Sequence, residues 1–165
     1  LMSIDFDGEA FVGEPEVVWE QPDASASFPR INGKWLMFTC SDYGTFPIWH
    51  KEADLWLINL ETGDSFPADE LNSEDTESYH SWSSNGKWVV YSSRREDGRY
   101  TRLYFSHFDG EGNFTKPFLL PQKDPDYNVL RLKSYNIPEF VTGEVKFNHV
   151  KAARLLNSKH RTPFK

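Results

Sequence analysis

The stretch "SYHSWSSNGKWVVYSSRREDG", residues 78–98, repeats a phrase already used at residues 27–44, "SFPRINGKWLMFTCSDYG". Aligning the two Asn-Gly-Lys-Trp segments gives an offset of 85 − 32 = 53. Asn-Gly between β-formers is the strongest short hairpin signal, because both residues tolerate the positive φ of a tight turn. The sequence therefore predicts equivalent two-residue hairpin turns at Asn32-Gly33 and Asn85-Gly86. An apolar strand follows in each copy, Trp35–Thr39 and Trp88–Ser92, and then a third strand, Asp54–Ile58 and Arg102–Phe105. A second turn comes next, and in the later copy a short strand, Pro117–Leu120, closes the unit.

The pattern extends to the amino-terminal residues. "LMSIDFDGE" from Leu1 matches "LYFSHFDGE" from Leu103, and "EPEVVWEQ" from Glu14 matches "KPFLLPQK" from Lys116, both at an offset of 102 (103 − 1 and 116 − 14). That is close to twice 53, so residues 1–22 read as the second half of a unit. Residues 23–72 and 73–122 read as whole units, and 123–165 as a strand-and-helix tail. A chain that begins in mid-unit is expected to be a fragment of a larger polypeptide and to self-associate through open blade edges.

Long-period repeats of four short antiparallel strands are the sequence mark of β-propeller blades. A sheet with one wet face alternates apolar and polar residues. Trp35–Phe38 and Trp88–Tyr91 are apolar at every position, so both faces must be covered, as they are in a blade between two neighbours. A two-sheet sandwich can also bury both faces of some strands, but it does not predict the repeat. The expected fold class is all-β: propeller blades of four antiparallel strands, forming a partial propeller, with a short C-terminal helix. On this reading Trp35 and Trp88 are both buried between sheets.

The same residues resemble the TolB-type, WD-like propeller repeat of bacterial envelope proteins. Trp82-Ser83-Ser84-Asn85-Gly86-Lys87 stands for the Trp-Ser-Pro-Asp-Gly-Lys core of that repeat, Ser93-Arg94 and Gly98 for its middle, and Phe108-Asp109-Gly110 for its end. The earlier copy lacks the Trp-Ser pair and carries an insertion, Asp42–Asp54. The resemblance covers about residues 1–122. It implies a propeller, and a periplasmic or envelope location. It does not fix an activity, since one fold hosts many functions.

Composition narrows the partners. A net charge of −7 over 165 residues argues against a nucleic-acid groove or an anionic membrane surface, both of which need clustered Lys and Arg. No apolar run approaches the roughly 20 residues of a membrane-spanning helix. The single cysteine, Cys40, excludes an internal disulfide and a cysteine-built metal site, and is expected to be a small core residue.

Several residues are candidates for binding. His80, with Ser78 and Tyr79, lies in the innermost strand, where it either faces a ligand in a central channel or hydrogen-bonds a neighbouring blade. The offset of 53 puts Ser27 and Phe28 in the corresponding place, so no ring of identical ligands exists. Arg94 and Arg95 sit in a hairpin turn, where they reach a carboxylate or a bound anion. The insertion carries Trp49 and His50 and makes a recognition loop, or else packs its own aromatics over the rim. The acidic segment Pro67–Tyr79 lacks EF-hand spacing and reads as a solvated linker. Asn148 is the N-cap of a terminal helix, and residues beyond Lys159 are expected to be irregular.

No Gly-x-Ser-x-Gly elbow, paired helical His or phosphate-cradling glycine loop is present. No cofactor and no metal are expected. The reading is a non-enzymatic module that binds a protein or peptide. The alternative is the propeller part of an enzyme, either gating a peptidase or acting as a metal-dependent polysaccharide lyase.

Overall fold

A computed structural model describes residues 1–158; the expectation for residues beyond Lys159 lies outside them. The described residues form antiparallel sheets. A two-stranded sheet pairs β1 (Met2–Phe6) with β2 (Phe11–Val17). A four-stranded sheet follows in the order β3 (Ser25–Asn32), β4 (Trp35–Ser41), β5 (Asp54–Asn59), β6 (Ser65–Pro67). The second four-stranded sheet is built from β7 (Glu77–Trp82), β8 (Trp88–Ser93), β9 (Arg102–His107) and β10 (Phe118–Leu119). The sheets do not close into a ring. Two short α-helices follow among the described residues, α1 (Tyr127–Leu130) and α2 (His149–Leu156). The side chain of Asn148 caps α2 by accepting from the Lys151 amide, as the sequence predicts, but α2 buries none of its residues.

The apolar run Trp35–Phe38 of β4 has both faces covered. Trp35 and Met37, with Leu55 and Leu57 of β5, meet Val89, Tyr91, Tyr104 and Phe108 of the second sheet. Leu36, Phe38 and Ile58 point the other way, onto Leu1, Val18 and Trp19. Cys40 lies only half-buried at the edge of this second cluster. Trp35 is 6% exposed, and its indole N–H donates to the Gly110 carbonyl at 2.9 Å. The neighbouring Gly112, at φ +101°, leaves room for that ring: a Cβ there would sit 2.9 Å from it.

Trp88 breaks the expected symmetry. It is 36% exposed, on the face of the second sheet that points away from the first, beside His107 and Phe118. Trp35 is buried because another sheet lies over it, and no sheet lies over Trp88 among the described residues.

The turns are also unequal. Gly33 and Lys34 join β3 to β4, whereas the five residues Ser83–Lys87 join β7 to β8. The longer turn is held by Ser83, whose hydroxyl accepts from the Trp88 amide (3.0 Å) and donates to Asn85 (2.7 Å). Second strands therefore correspond at 88 − 35 = 53 but first strands at 78 − 27 = 51, since Ser27 faces Thr39 and Ser78 faces Ser92. His80 thus corresponds to Pro29 and not to Ser27. Tyr79 corresponds to Phe28, and both have positive φ, +48° and +56°, at the same bulge.

The segment 67–79 is not a solvated linker. Leu71 is buried, and the Asn72 amide grips both the N–H and the C=O of Leu55 (2.9 and 3.0 Å). Glu77 is fully buried. It is held by the Ser73 amide and hydroxyl (both 2.8 Å), the Ser93 hydroxyl (2.6 Å) and Arg95 (3.0 Å). Burial raises its carboxyl above the usual range against the pull of those donors. The acidic composition conceals a connector wired into both sheets.

Candidate functional site

The insertion between β4 and β5 folds onto the second sheet. A 3-10 turn, Pro47–Trp49, starts on proline, whose fixed φ suits the first position of a helical turn. It buries Pro47 and Ile48 while turning the aromatic side chains outward. Tyr43, Phe46 and Trp49 are 70%, 56% and 72% exposed. The base of the loop is fixed from both sides. The His50 carbonyl accepts from the Thr76 hydroxyl, its ring packs edge-on against Tyr43 at 4.4 Å, and its Nδ1 lies 2.9 Å from Glu52.

Arg94 brings the second sheet to this loop. Its Nε donates to Asp75 at 3.0 Å, and its guanidinium lies 6.0 Å from the Trp49 ring, within cation–π range. Between them opens a cleft of ≈ 110 Å³. Phe46 and Trp49 over Ile48 make its apolar wall, Arg94 and Arg99 its cationic wall, and Thr101, Ser134 and Asn136 its floor. The floor is tied to the tail, because the Thr101 hydroxyl lies within hydrogen-bond distance of both the Tyr135 carbonyl (2.7 Å) and Asn136 (2.8 Å), sharing its one proton between them. The cleft thus sets positive charge beside an exposed indole.

Of the residues singled out in the sequence, Trp49 and Arg94 meet here, with His50 supporting the loop. The other four do not join them; Ser78 is fully buried in β7. Arg95 turns inward, with Nη2 on Glu77 and on the Tyr91 hydroxyl (3.1 Å) and its guanidinium 4.5 Å from the Tyr104 ring. His80 is 2% exposed, with Nε2 3.1 Å from the Met37 carbonyl of the first sheet. Burial drives its pKa down to about 4, so the ring is neutral at pH 7 and Nε2 carries the proton donated to Met37. Tyr79 is buried against Phe28 at 4.8 Å.

Phe46, Arg99 and the floor residues Ser134 and Asn136 were not singled out in the sequence. The available signal for Arg99 was its place directly after Gly98, one hairpin turn from Arg94. Ser134 and Asn136 gave none, because only the fold brings the tail under the insertion.

Elsewhere, β3 and β7 share a polar contact with the tail. Arg30 pairs with Glu139 at 2.7 Å, and the Ser81 hydroxyl donates to the same carboxylate at 3.0 Å. Among the described residues no three His, Cys, Asp or Glu side chains gather as a metal site. Neither a scan of protein-family models nor a search of curated proteins finds a match to this chain.

Proposed function

We propose that this chain is a non-enzymatic binding module of β-propeller type that docks a protein or peptide segment in the cleft between Trp49 and Arg99. The single observation behind this reading is the insertion itself. It uses a buried Pro-Ile turn to hold Phe46 and Trp49 in solvent beside two arginines. Trp, Tyr and Arg are the residues that dominate binding energy at protein interfaces, because each combines apolar area with a directed polar group. The cationic wall favours a segment carrying a carboxylate, and the indole favours an apolar side chain next to it. The internal repeat and its two four-stranded sheets support the propeller reading, and the likeness to TolB-type repeats supports a place in the bacterial envelope.

A random-peptide selection against the immobilised chain tests this, with a Trp49→Ala chain as counter-target. The expected result is enrichment of peptides that pair an acidic with an apolar residue and that bind the counter-target far more weakly. Peptides held equally by both chains would contradict the assignment.

A further inference from the structure

We propose that the outer face of the second sheet, around Trp88 and Phe118, docks the β1–β2 hairpin of a second copy of this chain, head to tail. The contact is already made once within the chain. On the face of the first sheet, Trp35 packs against Phe108 (6.1 Å) and donates to the Gly110 carbonyl. Trp88 corresponds to Trp35 by strand register, lies open, and makes no hydrogen bond through its indole N–H among the described residues.

The counterpart of Phe108 and Gly110 recurs in the β1–β2 hairpin. By the offset of 102, Phe6 corresponds to Phe108 and Gly8 to Gly110. The two turns share a conformation as well as a sequence. Gly8 and Gly110 have φ of +104° and +90°, and Asp7 and Asp109 each accept two backbone amides from the residues that follow. Met2, Ile4 and Phe6 form the face of β1 turned away from the first sheet, and all three are exposed. An exposed apolar face of this kind on both ends marks an interaction surface. Ala10 stands where Gly112 does, so the Trp88 ring sits less deeply than that of Trp35.

The tail prepares the same place. The Tyr135 amide donates to the Thr101 carbonyl (3.1 Å) as the Glu77 amide does to Ala53 (2.8 Å), and 101 − 53 = 48 is also the offset between β5 and β9. Two residues on, Ile137 has φ +55°, like Tyr79 and Phe28. Residues 135–140 therefore follow the path an innermost strand of a third unit would take, without forming a strand ladder themselves, with Phe140 on Phe105 (6.0 Å) and Glu139 on Arg30 and Ser81. That unit has its inner edge from one copy, and β1–β2 of the next copy is the matching outer edge. Such a contact uses two different surfaces and builds rings or filaments.

Sedimentation equilibrium with two exposed-site variants, Trp88→Glu and Phe6→Glu, tests the proposal, and near-UV circular dichroism establishes that each is folded. The expected mass of the wild-type chain rises with concentration, while each variant alone stays monomeric. An equimolar mixture of the two variants associates and stops at two chains, because each retains the surface the other has lost. The pair Phe118→Glu and Met2→Glu is expected to repeat this pattern. A wild-type chain monomeric at every concentration overturns the proposal, as does association that survives both substitutions or a variant mixture that stays monomeric.

Discussion

The Asn32 side-chain amide donates to the Gly86 carbonyl at 2.8 Å, so the two turns whose shared sequence reveals the repeat touch one another in the folded chain. A Cβ on Gly86 would lie 2.3 Å from Asn32 Oδ1, and Gly86 has φ +67°. Gly86→Ala is expected to cost about 2 kcal/mol, since left-handed backbone alone costs an alanine about 1 kcal/mol or more and the amide must also move. In urea unfolding, the double variant Asn32→Ala, Gly86→Ala should lose less than the sum of the single losses. Strict additivity would mean that the turns are independent.

Trp35 and Trp88 hold the same place in the repeat and are predicted to differ in energy. Trp35→Ala should cost about 3–5 kcal/mol, the range for truncating a buried large aromatic residue. Trp88→Ala, measured in dilute protein, should cost about 1 kcal/mol, because its ring is already part-solvated. Equal losses would contradict the one-sided burial.

Two titrations, of the buried His80 and the half-buried Asp54, work in opposite directions. The pKa of His80 is lowered to about 4, so the unfolded chain takes up its proton first as pH falls below 6.5, and stability is lost between pH 6.5 and 4, by roughly 3 kcal/mol in all. An NMR titration should find the His80 ring neutral down to about pH 4. Asp54 is raised to about 6, first by burial and then by the charge of Glu77. Its ionisation opposes folding at neutral pH, so Asp54→Asn should stabilise the chain at pH 7, with the gain fading as pH falls from 6 towards 3.8. A His80 titration near 6.5, or a destabilised Asp54→Asn at pH 7, would refute these environments.

Arg102 is a buried cation that fastens the tail. Its guanidinium donates to the carbonyls of Asn128 (2.9 Å), Arg131 (2.9 Å) and Lys133 (2.9 Å), with Asp97 at 3.7 Å. Arg102→Met keeps the volume but strands those acceptors, and should cost about 3 kcal/mol. Hydrogen exchange should rise first at residues 128–136; uniform exchange would show that Arg102 does not hold the tail.

The strands were legible because their chemistry is local. Trp35–Phe38 and Trp88–Tyr91 announce two-sided burial, and the offsets of 53 and 102 order the units. What covers each strand is not local: nothing in the sequence tells Trp35, with a sheet above it, from Trp88, without one. The longer turn at Ser83–Lys87 shifted the register of the first strands by two, which moved His80 off its supposed partner. The acidic stretch 67–79 misled because Glu77 is buried and hydrogen-bonded by donors from three other residues. Half of the candidate cleft was visible as Trp49 and Arg94, and the other half came from chain segments that meet only in three dimensions.

On the function proposed, a peptide partner binds at the Trp49 cleft. An NMR titration of the chain with a peptide enriched by selection follows the Trp49 indole N–H directly. Binding should shift that signal together with the Arg94 and Arg99 side chains, leave the buried His80 ring unmoved, and weaken at least tenfold, about 1.4 kcal/mol, in Trp49→Ala. Saturable binding with the Trp49 signal unmoved, and equal affinity for Trp49→Ala, would contradict it.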